Sequence, residues 1–250
     1  MKHFDWTIWL GIGIGALAIF TGAWLENLSL TYLWHPTAAL IVFGGTFGAV
    51  LVRRGFEGVI SAFRSIWHLG FKKEDEQKHQ IELARLAWLA RSANKNGVKV
   101  YESQAETSND TLVAQGLTLA AELAPPEKIK QILARTLELE DENGLQDAST
   151  LEAAGGFAPT FGILGAVIGL IGVLRVLDKP DSLGLGIATA FVATIYGIGL
   201  ANLILFPIAA RLRLKHAEIM KRREEIADVL LALAARETPR AIISRFNLQK

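Results

Sequence analysis

No cysteine occurs among the 250 residues, so a disulfide framework and a thiolate-bound metal site are both excluded. An excess of charge is also absent. The formal net charge of +1 fits neither a basic nucleic-acid binder nor an acidic disordered tail. Charge is missing most completely from two windows, Gly155 to Leu174 and Leu183 to Ala210, which hold no Asp, Glu, Lys, Arg or His. Lys, Arg, Asp and Glu crowd instead into 53–152 and 211–240, the segregation expected of a polytopic membrane protein with a substantial aqueous part. No Ser/His/Asp constellation and no histidine-rich metal cluster stands out, so neither an enzyme nor a metal site is expected.

What is present is organised around FAPTFGILGAVIGLIGVL, Phe157 to Leu174, with glycines at 162, 165, 169 and 172. About 20 apolar residues cross a bilayer core of ~30 Å. Glycines three and four apart leave a shallow strip for close helix packing, so this strip is expected to face protein rather than lipid. A first span is expected at Thr7 to Leu25, with Trp6, Trp9 and Trp24 near its ends. No A-x-A cleavage site follows it, so it reads as retained, not as a signal peptide. Its Gly11, Gly13 and Gly15 lack the strand and helix context of a phosphate loop and read as packing glycines.

After the short connection Glu26 to Thr31, a second span is expected from Leu33 to Val52, with His35 at its start as a headgroup-level residue. Arg53-Arg54 ends it and marks the cytoplasmic side, which places both termini inside if four spans are present. Residues 55–152 read as a cytoplasmic helical domain. Glu74 to Asn94 is an amphipathic helix with the stripe Ile81, Ala84, Leu86, Ala87, Leu89 and Ala90, and Asn94 to Gly97 stops it. Asn109-Asp110 caps a helix to Leu123. Pro125-Pro126 starts another, with Ile129, Ile132, Leu133 and Leu137 on one face, which runs through Leu151 into the Phe157 span. Glu138, Glu140, Asp141 and Glu142 read as a solvated face.

An outer turn at 175–181 leads to a fourth span, Leu183 to Ala210, rich in small residues, and a basic amphipathic helix ends near Thr238-Pro239. The expected architecture is therefore all-α: spans in 1–54 and 153–210, helical cytoplasmic parts in 55–152 and 211–250.

An ion path across a bilayer nearly always uses an ionisable residue. Spans three and four lack one, so any carboxylate on such a path has to come from a partner. They offer hydroxyls at Thr160, Thr189, Thr194 and Tyr196. Pro159 and Pro207 each free the carbonyl four residues earlier. These groups could line half of such a path; equally, the threonines could bond back to their own helix and the prolines could be packing kinks.

PTAALIVFGGTFGAVL at 36–51, APTFGILGAVIGLI at 158–171 and ATIYGIGLANLILFPIA at 193–209, in this order of parts, resemble the flagellar stator (MotA) members of the MotA/TolQ/ExbB channel superfamily. The resemblance covers nearly the whole chain. It implies a pentamer in the bacterial inner membrane around two copies of a MotB-like, single-span partner whose transmembrane aspartate binds the coupling ion. Pro159 matches the family's functional proline, Thr194 the polar residue facing that aspartate, and Pro207 the proline at the inner end of the last span. Sodium-type members carry a threonine seven residues after the first proline; here Ala166 stands there and favours protons over Na+. Toward the rotor protein FliG, Glu102 matches a family glutamate, while the arginine position is Asn94 with Lys95 beside it, so that Lys95 substitutes or the partner differs. No cofactor and no nucleic acid is implied. TolQ/ExbB-like energisers typically have a single span before the cytoplasmic domain, against two here; a scaffold without ion flux is the remaining alternative.

Overall fold

The computed structural model describes residues 6–27, 33–69, 76–176, 178 and 180–246, and the described residues are helical, without strands. In chain order they form α1 (Thr7–Leu25), α2 (Pro36–Ala39), a π-helical turn (Leu40–Gly44), α3 (Gly45–Leu69), α4 (Glu76–Asn96), α5 (Lys99–Thr107) and α6 (Thr111–Ala121). There follow α7 (Pro126–Gly144), α8 (Gln146–Leu174), α9 (Pro180–Gly199), a second π turn (Leu200–Leu205), α10 (Phe206–Ala234) and α11 (Pro239–Arg245). Contacts divide the chain into two compact units, 1–72 with 145–214, and 73–144 with 215–250. These divisions follow contacts, whereas 54, 152 and 210 mark where apolar stretches end or begin, and the helices continue past those points.

The first unit holds the membrane-crossing parts of four helical runs long and apolar enough to span a bilayer, beginning at Thr7, Pro36, Pro126 and Gly186. α8 is its centre and packs on α9, α3 and both π turns. α1 buries none of its residues, as a helix that is apolar all round does when its surroundings are apolar. Gly55, at φ 67° and ψ 178°, breaks the run immediately after Arg53-Arg54, in a conformation that glycine reaches without a Cβ penalty.

The polar start of α8 is tied to α3 and α10. Arg54 donates to Thr150 Oγ1 (3.1 Å) and Gln146 Oε1 (2.9 Å), Ser61 Oγ donates to Asp147 Oδ2 (3.0 Å), and Arg213 Nη2 pairs with Glu152 Oε2 (2.6 Å). Beyond this collar α8 is uncharged from Ala153 onward. The expected merger of the third cytoplasmic helix with this span is interrupted at Leu145 alone.

The second unit is a helical core of Leu83, Leu86, Leu112, Leu117, Ile129, Leu133, Val229, Leu230 and Ile242, all nearly inaccessible. Three expectations need correction. Ile81 is 67% exposed and Leu83 takes its place in the α4 stripe, because the buried set follows 83, 86, 87 and 90 at helical spacing. α5 was not foreseen. And the acidic run of α7 is not simply solvated: Glu140 binds Arg223, Asp141 lies 2.9 Å from His216 Nε2, and Glu138 pairs with Arg135. Glu74, Thr31 and positions 177 and 179 of the expected outer turn lie outside the described residues.

Candidate functional site

Two helices meet where the glycine strip points. A Cβ at Gly162 would stand 2.9 Å from Ala193 O, one at Gly169 2.7 Å from Gly186 O, and one at Gly197 2.6 Å from Ala158 O. The backbones of α8 and α9 therefore touch along the strip, which is the van der Waals contact that holds helices together in lipid. Gly172 does not share in it: nothing lies within 4 Å of its Cβ position.

This contact sets the Pro159 backbone beside Gly197 and the Thr194 backbone beside Gly162. The Gly197 position is 3.1 Å from Pro159 Cα, and the Gly162 position is 3.4 Å from Thr194 Cα. Pro159 lies inside α8 and, without an N–H, leaves the Gly155 carbonyl without its helical donor. The ring of Phe206 rests against Gly155, 2.7 Å from where a Cβ would be. Pro207 is exposed and follows directly on the π turn Leu200–Leu205 and Phe206. A widened turn at that point relieves the clash between a proline ring and the carbonyl four residues back.

The hydroxyls divide in two. Thr160, exposed, donates to Phe157 O (2.6 Å), and Thr194, half-buried, donates to Ala190 O (3.1 Å), both bonding back into their own helices. Ala166 is half-buried beside Gly165, whose Cβ position meets Ala193 and Ile41. Tyr196 is turned elsewhere: its hydroxyl donates to Leu33 O, accepts from His35 N (3.3 Å), and its ring lies 5.9 Å from that of Phe43. Thr189 Oγ1 is 3.2 Å from His35 Nε2. His35, expected at headgroup level, is half-buried against α9, and its Nδ1 is buried without a hydrogen-bond partner among the described residues.

Thr46 was missed. It is 5% exposed, and its buried hydroxyl also has no partner among the described residues. The only sequence signal was a threonine following Gly44-Gly45 inside an apolar run. Removing the tyrosine hydroxyl in Tyr196→Phe is expected to cost about 1–2 kcal/mol, because the Leu33 carbonyl loses its donor. The thermal midpoint of the purified protein in detergent measures this, and an unchanged midpoint would contradict an anchoring role.

In the second unit, Lys95 lies in the last turn of α4 and Glu102 in the first turn of α5, both exposed on either side of Gly97, whose φ is 81°. A cation at a helix C-terminus and an anion at an N-terminus each oppose the local end of the helix dipole. No group of three or more potential metal ligands converges among the described residues.

The MotA/TolQ/ExbB proton channel family matches residues 104–225. Motility protein A of Bacillus subtilis is 32% identical over 95% of the chain and 88% of the relative's length. The structure of the flagellar MotAB stator complex from B. subtilis superposes with a TM-score of 0.77 at 30% identity, covering 96% of this chain and 94% of that one. C. jejuni MotAB superposes with a TM-score of 0.80 over 98% and 96% of the two chains, and at 23% identity it speaks to the fold. With four bilayer-length helices and a relative matched at this level over almost its entire length, the chain is a membrane protein and belongs to the MotA/TolQ/ExbB proton channel family.

Proposed function

We propose that the protein is the ion-conducting stator subunit of a bacterial flagellar motor, which forms a proton channel with a MotB-like partner and turns ion flow into torque on the rotor. The observation that carries this reading is the α8–α9 contact, where Pro159 lies beside Gly197 and Thr194 beside Gly162 across backbones that touch, in stretches (155–174 and 183–210) without Asp, Glu, Lys, Arg or His. A carboxylate must therefore be supplied by a second chain if a proton is to cross. The similar B. subtilis structure is of a MotAB stator complex, which supports a MotB-like partner; on this reading that partner is a single-span chain and brings the transmembrane aspartate.

On this reading, Pro159, Thr160, Thr194 and Pro207 line the subunit's half of the path and Ala166 tunes it toward protons. Tyr196 shapes the path from behind by holding the Leu33–His35 segment. Five subunits surround the partner in the inner membrane, with 55–152 and 211–250 and both termini in the cytoplasm. Lys95 and Glu102 face the FliG-type rotor protein. No catalytic role is assigned to any side chain.

The test is ion uptake by vesicles containing this protein with its candidate partner, the partner's plug segment removed. Proton uptake that disappears when the partner's transmembrane aspartate is changed to asparagine is the expected result. Thr194→Val should then lower uptake by about tenfold, the loss of one charge-assisted hydrogen bond. Absence of flux of either H+ or Na+ would replace the channel with a scaffold.

A further inference from the structure

Within the uncharged stretch 183–210 one side-chain amide, that of Asn202, is exposed, and it sits in the second π turn. Its Nδ2 donates to Ile198 O (3.0 Å), and its Oδ1 accepts no hydrogen bond among the described residues. The neighbouring residues turn elsewhere. Ala201 is buried, and the Leu203 side chain is lodged on α1, 2.7 Å from where a Cβ of Gly15 would be.

The face that bears Asn202 is otherwise apolar. Ile187, Phe191, Ile195 and Ile198 are the exposed large hydrophobic side chains of α9 among the described residues, at the spacing of one helix face, with Thr194 half-buried at its edge. Eight α-helical residues overshoot two turns by about 80°. The π turn, which starts at Leu200, takes up part of that overshoot, so Asn202 lies on the same side as Thr194, about 12 Å further along the axis. Lipid is a poor cover for this end of the face. Asn202 stands nine residues, about 13 Å, short of Arg211, and an amide oxygen at hydrocarbon depth carries a desolvation penalty that no donor among the described residues offsets.

The backbone adds a second, independent observation. The Phe206 N–H, which in an α-helix would serve Asn202 O, bonds instead to Ala201 O. The donor that a widened turn would offer to Asn202 O next belongs to Pro207, which has no N–H. Asn202 therefore presents two acceptors without helical donors, its main-chain oxygen and its Oδ1. Polar groups clustered in this way are what a bound water needs.

We propose that water reaches Asn202 from the inner side of the span and that the proton leaves the path there, handed to water held by Asn202 Oδ1 and the Asn202 carbonyl. The proposal rests on the stator reading above and gives its channel an inner exit. The dry part of the path is then the two turns between Thr194 and Asn202. A hydronium donates hydrogen bonds and hardly accepts them, so neutral oxygens from an unwound turn suit it and no charged side chain is required at the exit.

The test uses the complete stator complex in vesicles and the lack of cysteine in this chain, with the partner also freed of cysteine. The probe is a charged, membrane-impermeant thiol reagent added at the inner face. Asn202→Cys should react, as Leu214→Cys in the exposed part of α10 does, and its reaction should stop proton uptake; Ile204→Cys, on the other side of the turn, should stay unreactive. Asn202→Leu should lower proton uptake by about tenfold, the loss of a hydrogen bond to a charged species, with the thermal midpoint equal or higher because an amide leaves an apolar face. If Asn202→Cys is unreactive in a complex that conducts protons, protein covers the amide and the exit is overturned. If Asn202→Leu conducts like the wild type, water may stand there or not, but the proton leaves elsewhere and the exit is again overturned. If the wild type takes up no protons, the channel reading fails and the exit with it, while the reactivity of Asn202→Cys shows separately whether water reaches this depth.

Discussion

Gly197→Ala should sharply lower the stability and yield of the purified protein, although it adds a single methyl group. That methyl would stand 2.6 Å from Ala158 O and 3.1 Å from Pro159 Cα, both backbone atoms that cannot rotate away. Overpacking of a well-filled contact costs about 1–3 kcal/mol, and a rigid obstacle puts this site at the upper end. Gly169→Ala meets Gly186 O at 2.7 Å and Ala190 N at 2.8 Å and should behave alike. Gly172→Ala supplies the control on the same face, because nothing lies within 4 Å of it. Alanine there should be neutral or stabilise by up to about 1 kcal/mol, the helix-propensity gain over glycine. Thermal unfolding in detergent separates the cases: equal midpoints for Gly197→Ala and Gly172→Ala would refute a backbone contact. Since Pro159 adjoins Gly197, Gly197→Ala should also reduce proton uptake per folded complex, whereas Gly172→Ala should not.

The same glycines show what could be read directly from the sequence. Spacing of three and four in an uncharged run specifies a close contact, since in lipid little else holds helices together, and the fold and its four spans follow from runs of apolar length. Which helix fills the strip does not follow from spacing, and Gly172 shows that a regular strip can run past its contact. The π turns were hidden for a different reason. A π turn uses the residues of an α-helix with a shifted hydrogen-bond partner, so composition carries no mark of it. Pro207 was the single local hint, and it lies just beyond the second π turn.

Side-chain pairing over long separations was the least legible. Glu140 and Asp141 read as solvent-facing because periodicity reports the face of one helix and says nothing of which charges a later helix brings to it. Arg223 and His216 arrive from about eighty positions on. The contacts of His35 with Tyr196 and Thr189 of α9 were equally hidden, since its place beside a proline names no partner.

Arg223→Ala should be the most damaging substitution in the second unit, and its effect should depend on pH. The guanidinium pairs with Glu140 through Nε (2.8 Å) and Nη2 (2.6 Å) and with Asp110 through Nη1. Asp110 is also the N-cap of α6, accepting from Leu112 N (3.0 Å) and Val113 N (3.2 Å). Burial alone would raise the Asp110 carboxyl, but the Arg223 hydrogen bond and charge, with the two backbone donors, hold it below its ordinary value. Removing the arginine strands two partly buried carboxylates, and about 2–4 kcal/mol is expected, below the full figure for a buried pair because both acids keep some contact with water. A carboxyl whose folded pKa is depressed contributes stability that is fully present above its unfolded value, about 4, and is lost as pH falls through the folded value. The deficit of Arg223→Ala should therefore be largest near neutral pH and shrink below about pH 4, as protonation of Asp110 deprives the wild type of the same interaction. Hydrogen exchange at the Leu112 and Val113 amides, measured at pH 7 and pH 3.5, reports it locally. A deficit of constant size across that range would mean that the arginine acts through the packing of its stem and not through its charge.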